Sequence, residues 1–264
     1  MWLRTSFDLA FEIVGPTPFV LMLRPRSSEQ QWIAREVYRI SPSVPVAEFI
    51  DVYSNLCQRL IAPPGPFAIH TSAEVMTADT VDRSPGAPFV EVQRLPDAVL
   101  TYLLPSRYCE SDRFFEMSAE ITTDQTPGYD QVAAIEDWLR ARVRYVPGSS
   151  DIPESAVEVH RKGSGVCRDL SHLGIALCRS ISIPARMVVG YLNGLEPMDM
   201  HAWFEAYVGG RWYTFDATQK ELTGGYVAIG YGRDAADVAV YNQFGLPVYP
   251  LKQEVQVARI KAPD

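Results

Sequence analysis

Gly163-Ser164-Gly165-Val166-Cys167-Arg168-Asp169-Leu170 is a glycine-broken loop that runs into a segment where Leu170, Leu173, Leu177 and Ile181 recur at helical spacing. Cys167 therefore falls at the start of a helix. Unpaired backbone N–H groups and the helix dipole favour the thiolate there, and the thiolate is the nucleophilic form of cysteine. The same N–H groups can hold an oxyanion. Taken alone, a Gly-x-Gly-x-Cys string fits a buried thiol that behaves as a small apolar group equally well.

A nucleophilic cysteine needs a base, and His201 is offered downstream in Met200-His201-Ala202-Trp203-Phe204-Glu205-Ala206-Tyr207-Val208. Gly209-Gly210 and Arg211-Trp212-Tyr213-Thr214-Phe215-Asp216 follow, a pattern that reads as a β-hairpin. With a two-residue turn, Val208 faces Arg211, Trp203 faces Asp216 and His201 faces Thr218. His201 and Asp216 are then diagonal neighbours on one face, roughly 7–8 Å apart at the backbone and within side-chain reach. Asp216 would orient His201 and stabilise its imidazolium, leaving the other ring nitrogen to face Cys167. Individually, His201 could be a core histidine and Asp216 a strand-end cap. Only the conjunction points to nucleophilic catalysis.

These residues carry a resemblance. Gly163 to Asp169, then Ile183-Pro184-Ala185-Arg186-Met187-Val188-Val189-Gly190-Tyr191, then His201 to Glu205 and Trp212-Tyr213-Thr214-Phe215-Asp216-Ala217-Thr218, resemble the bacterial transglutaminase-like family in its order of Cys, His and Asp. The resemblance covers roughly the second half of the chain. It implies a papain-like α+β core in which the cysteine helix packs on an antiparallel sheet bearing His201 and Asp216. Family members include peptidases, amide acyl transferases, amidases and proteins without activity, so the reaction is not fixed by the fold.

Upstream, from Trp2 to about Thr80, apolar residues alternate, as in Phe7-Asp8-Leu9-Ala10-Phe11-Glu12-Ile13, with punctuation such as Pro63-Pro64-Gly65-Pro66. Short strands with turns between them predict a small antiparallel β-sandwich. Helical patterns then run over Asp97–Leu104, Asp112–Ile121 and Tyr129–Arg144. The expected class is α+β, with an N-terminal β-sandwich over 1–105 and a papain-like, transglutaminase-like catalytic domain over 106–264.

The 264 residues, 47% hydrophobic and 21% charged, match an ordinary folded protein. A formal net charge of −8 argues against nucleic acid and anionic membrane surfaces as partners. The start lacks a basic-then-apolar leader and no run is long enough to span a bilayer, so a cytoplasmic location is expected. Cys57, Cys109, Cys167 and Cys178 show no CxxC spacing, and His70, His160, His172 and His201 show no paired ligand spacing. Free thiols, no metal and no cofactor are expected.

Around the candidate triad, Tyr145 resembles the aromatic upstream of the cysteine in relatives and is a candidate second oxyanion donor, with packing at a helix end as the alternative. Trp203 would shield the His–Asp pair and line the pocket. Arg186 suits a hydrogen-bonded ion pair beneath the site, and Asp169 suits the first helical turn. His172 points about 140° from Cys167 on the same helix, which suits solvent or packing, and Cys178 suits the core. The expected activity is hydrolysis of a peptide or side-chain amide in a peptide or protein substrate through a thioester. The alternatives are a transglutaminase-type acyl transferase and a non-catalytic scaffold.

Overall fold

The computed structural model describes residues 1–150 and 152–263. The chain opens with β1 (Trp2–Ile13), β2 (Thr17–Leu21), β3 (Gln31–Ser41), β4 (Ala47–Ile50), β5 (Leu56–Ala62) and β6 (Gly65–Thr77). A mainly helical stretch follows: α1 (Asp97–Leu100), α2 (Phe115–Ile121), α3 (Tyr129–Arg142), β7 (Arg144–Tyr145), α4 (Ala156–Lys162), β8 (Ser164–Gly165) and α5 (Cys167–Ser180). The rest is β9 (Ala185–Leu192), β10 (His201–Val208), β11 (Arg211–Phe215), β12 (Tyr226–Gly232), β13 (Tyr241–Gln243) and β14 (Lys252–Ile260). The class is α+β.

Alternation in β1 buries Leu3, Phe7, Leu9, Phe11 and Ile13 and leaves Arg4 and Glu12 exposed, which is what a strand with one buried face requires. The sandwich consists of a sheet ordered β14-β1-β6-β3 and a second ordered β13-β2-β5-β4. Ring contacts join the two sheets, Phe11 to Phe19 at 5.3 Å, Phe19 to Phe67 at 6.2 Å and Phe11 to Tyr241 at 5.5 Å. A division at 105/106 would leave the C-terminal segment with the catalytic unit. The pairings instead place β14 beside β1, with Trp2 opposite Ile260, and β13 beside β2. The sandwich thus draws strands from both sides of the catalytic unit, because β1 and β2 each have an open edge that these later strands fill.

A separate antiparallel sheet, ordered β11-β10-β9-β12, carries the candidate site. Helix α5 packs closely on it at Gly174, where a Cβ would lie 2.7 Å from Phe204 Cε1 and 3.1 Å from Leu139 Cδ1. Only glycine allows that approach, and it sets the height of α5, and so of Cys167, over the sheet. The outer edge of β12 is covered by the sandwich through two amide side chains. Gln31 bonds the N–H and C=O of Ala228, each at 2.8 Å, and Asn55 bonds those of Tyr231 at 2.8 and 2.7 Å. Each amide supplies the donor and acceptor that a neighbouring strand would supply, so the edge is not left bare. No helix among the described residues is long and apolar enough to cross a membrane.

Candidate active site

Cys167 is the first residue of α5 and is partly exposed. Asp169, buried in the first turn, accepts the Val166 N–H at 3.2 Å and the Arg168 Nε at 3.0 Å, and so fixes the loop that precedes the cysteine. No hydrogen bond reaches the Cys167 backbone N–H among the described residues, as expected for an orphan donor in the first helical turn. Just before Cys167, β8 pairs in parallel with β7, which sets Tyr145 beside Gly165. The Val146 N–H continues the pairing to the Gly165 carbonyl at 2.9 Å. Burial raises the Tyr145 phenol pKa, and negative charge at Cys167, Asp216 and Asp199 raises it further, so the hydroxyl keeps its proton.

Gly209 and Gly210, at φ 59° and 89°, form the two-residue turn between β10 and β11, a conformation that glycine adopts without strain. Val208 faces Arg211 and the register continues to Phe204 opposite Phe215, with Asp216 directly beyond the strand. His201 Nε2 lies 2.7 Å from Asp216 Oδ2, and both residues are 1% exposed. The Asp216 carboxylate has further donors. The Tyr226 hydroxyl donates to Oδ2 at 2.9 Å, and the Thr218 N–H and Oγ1 donate to Oδ1 at 3.0 and 2.6 Å. Its backbone N–H donates to Glu136 Oε1 at 2.6 Å, and Glu136 in turn pairs with Arg140 at 3.4 Å.

Burial opposes a charge on His201, but the Asp216 charge and hydrogen bond, joined by Cys167, overcome it and raise the His201 pKa to about 10. Burial likewise opposes the Asp216 anion, and His201 and Thr218 reverse that and lower its pKa. Asp216 occupies Nε2, so the interaction with Cys167 falls to Nδ1, which is buried and hydrogen-bonded to no other group. Trp203, 2% exposed, stacks on the His201 ring at 6.0 Å and meets Tyr226 edge-on at 5.0 Å, walling the His201–Asp216 pair from water. The structure therefore brings Cys167, His201, Asp216, Tyr145 and Trp203 into one neighbourhood.

Other residues singled out in the sequence lie around it. Arg186 pairs with buried Glu205 at 2.6 Å and is held between the rings of Trp212 and Tyr231, at 4.2 and 4.1 Å. His172 is fully buried, not solvated. Its Nε2 accepts the Ala235 N–H at 3.2 Å, so its Nδ1 carries the proton and donates to the Glu154 carbonyl at 2.8 Å, and burial favours this neutral ring. Cys57, Cys109 and Cys178 are buried, and burial pushes the Cys57 and Cys109 thiols up to about 11 and about 12. No group of three or more His, Cys, Asp or Glu side chains able to hold a metal gathers among the described residues. Sequence reasoning missed Glu136 and Tyr226. Glu136 had a signal, a carboxylate on the apolar stripe of Val132, Ile135 and Leu139, whereas Tyr226 had none.

A family model described as the transglutaminase-like superfamily matches residues 116–217, a span that closes just past Asp216. The structure is similar to "a putative cysteine protease" from Cytophaga hutchinsonii, with a TM-score of 0.90 and 35% sequence identity, over 100% of this chain and 92% of that one. An uncharacterized protein of Mycobacterium leprae (strain TN) is 29% identical over 231 residues, 82% of each chain. The uncharacterized protein YebA of Bacillus subtilis (strain 168) is 26% identical over 144 residues, 20% of its length. The chain belongs to the transglutaminase-like superfamily.

Proposed function

We propose that this protein is a cysteine-nucleophile hydrolase of peptide or side-chain amide bonds, with Cys167 as nucleophile, His201 as general base and acid, and Asp216 as orienter. The observation that carries the reading is the buried 2.7 Å His201–Asp216 contact, which leaves Nδ1 as the nitrogen for Cys167 at the start of α5. The proton that Cys167 and His201 share rests on His201 Nδ1, in keeping with the raised His201 pKa, and the sulfur attacks the amide carbonyl carbon. The carbonyl oxygen becomes an oxyanion that the Cys167 backbone N–H receives, with the Tyr145 hydroxyl as a second donor. Collapse breaks the C–N bond as His201 returns the proton to the leaving amine, and a thioester remains. Water, deprotonated by His201, then attacks the thioester, releasing the acid and restoring the thiol. An amine in place of water would give acyl transfer. Partial exposure of Cys167 admits water to the sulfur and favours hydrolysis.

The substrate in this reading is a peptide or protein, with no part for nucleic acid or membrane, and a reducing cytoplasm suits four unpaired thiols. The test is iodoacetamide mapping at mildly acidic pH, in wild type and in His201→Ala, read by peptide mass spectrometry. Cys167 should be labelled fast in wild type and many-fold more slowly in His201→Ala, while the buried Cys57, Cys109 and Cys178 stay slow in both. Equal, slow labelling of Cys167 in both proteins would mean that no working pair exists and would return the scaffold reading.

A further inference from the structure

The register of β10 and β11 stops at Phe204 opposite Phe215, and Asp216 lies one residue past it. In a hairpin with a two-residue turn, Val208–Arg211, Ala206–Tyr213 and Phe204–Phe215 are the pairs that exchange hydrogen bonds. The Tyr207 N–H agrees with that phase, since it points the other way, to the Pro184 carbonyl at 2.8 Å. The backbone N–H and C=O of Asp216 therefore point away from β10. Because β11 is the edge of its sheet, no further strand among the described residues takes them. The residue on which the His201 imidazolium depends has no ladder to hold it.

Helix α3 takes those groups instead. Glu136 Oε1 accepts the Asp216 N–H at 2.6 Å, Arg140 Nη2 stands 3.5 Å from the Asp216 carbonyl, and Arg140 Nε donates to the Gln219 carbonyl at 3.0 Å. The two side chains, one helical turn apart, also pair with each other at 3.4 Å. Together they offer the acceptor and the donor that a neighbouring strand would offer, as Gln31 and Asn55 do for β12. Glu136 is buried. Burial raises its pKa, and the Asp216 N–H and the Arg140 charge pull it part of the way back. An apolar side chain would fill the space without that penalty, so packing does not account for a carboxylate here.

The other supports of Asp216 differ in kind. Thr218 is two residues along and moves with Asp216, and the Tyr226 hydroxyl touches only the carboxylate. Glu136 ties the Asp216 backbone to α3, which Val132, Ile135 and Leu139 anchor in the core. The same helix meets α5, where Leu139 Cδ1 lies 3.1 Å from the place a Gly174 Cβ would occupy. One side of α3 thus touches both the cysteine helix and the aspartate. We propose that Glu136, braced by Arg140, is a positioning residue: it fixes the Asp216 backbone relative to α5 and so holds His201 where it can pair with Cys167. The inference rests on the proposed triad and adds a residue that touches neither substrate nor sulfur.

Two variants separate the hydrogen bond from the charge. Glu136→Asp keeps the charge but draws the carboxylate back by one C–C bond, ~1.5 Å, which takes a 2.6 Å contact out of hydrogen-bond range. Glu136→Gln loses the charge but keeps an oxygen for the Asp216 N–H, and Arg140 retains Asp137 at 2.6 Å. The pH profile of Cys167 alkylation by iodoacetamide and the imidazole NMR titration of His201 are read in wild type and both variants. Buried Cys57, Cys109 and Cys178 report on the fold in the same samples. At mildly acidic pH, Glu136→Asp should label Cys167 about tenfold or more slowly than wild type, with His201 titrating lower, and Glu136→Gln should stay within about threefold of wild type. The three buried thiols should stay slow throughout. A Glu136→Asp protein that matches wild type, a Glu136→Gln protein that falls as far as Glu136→Asp, or fast labelling of the buried thiols in Glu136→Asp would overturn the inference. Slow labelling of Cys167 in wild type would strike the triad reading, and the inference with it, so the wild-type rate tells the two failures apart.

Discussion

Replacing Asp216 with asparagine changes one atom and should disable the site twice over. The His201 pKa stands at about 10 against an ordinary 6.5, and at ~1.4 kcal/mol for each tenfold change in acidity the imidazolium is favoured by ~5 kcal/mol. Asp216 supplies most of that against the opposing effect of burial. With an uncharged amide in its place only the interaction with Cys167 is left to oppose burial, and the His201 pKa should fall far below about 10. The second effect is one of hydrogen bonding. All four contacts to the carboxylate are donors, two on each oxygen. Turned one way, the asparagine NH2 faces the Thr218 N–H, which can only donate and so loses its acceptor at ~1–3 kcal/mol; turned the other, it makes the neutral His201 ring accept at Nε2, which moves the ring proton to Nδ1, the nitrogen that must face Cys167 bare. The pH dependence has a definite sign. A His whose pKa is raised on folding adds stability that is fully present below pH 6.5 and fades as the pH climbs towards about 10. Wild type should therefore lose stability across that window, and Asp216→Asn should be weaker throughout and flatter within it. Urea melts across the window and an imidazole NMR titration of His201 are the assays. A variant whose His201 still titrates near pH 10 would refute the assignment of Asp216 as the source of the shift.

Further expectations follow from single contacts. Gly174→Ala forces a Cβ against Phe204 and Leu139 and should cost ~1–3 kcal/mol, seen as a lower Tm; an unchanged Tm would mean that α5 is free to lift off the sheet. Gln31→Ala strands the Ala228 N–H and C=O and should cost ~1–3 kcal/mol for each group that water fails to reach, measured by urea denaturation. Tyr226→Phe removes a donor from the buried Asp216 anion at ~1.5–3 kcal/mol. Because a carboxylate with one donor fewer attracts a proton more strongly, the His201 titration should move up and not down.

The parts of the site that can be read from sequence are those written in local pattern. The glycine break before Cys167 and the apolar spacing after it put the thiol at a helix start. Gly209-Gly210 fixed the hairpin register, so the His201–Asp216 pairing followed by counting. Tyr226 was invisible because it reaches Asp216 from β12, and no spacing says which strand will cross behind the hairpin. Glu136 was legible as a charge on a buried stripe, but its target, the backbone N–H where β11 ends, was not. Helix α4 announces itself through Ser155 and Glu158, whose N–H and carboxylate bond at 2.8 Å as a capping box, a signal that the spacing of apolar residues alone overlooks. The return of β14 to β1 is a contact across most of the chain. Alternation in Val255-Gln256-Val257 marks a strand, yet nothing local names its partner.

That long-range pairing has a mechanical consequence. Trp2 begins β1 and lies opposite Ile260, which ends β14, and the register runs from there to Ala10 opposite Lys252. Tension applied between residues 2 and 260 acts along the inter-strand hydrogen bonds, which lie perpendicular to the strands. It therefore loads them one pair at a time, as a zipper opens, and never in shear. The seam should yield at low force and peel β14 away first. The β11-β10-β9-β12 sheet lies outside that line of load and would still hold Cys167, His201 and Asp216 together when the seam opens.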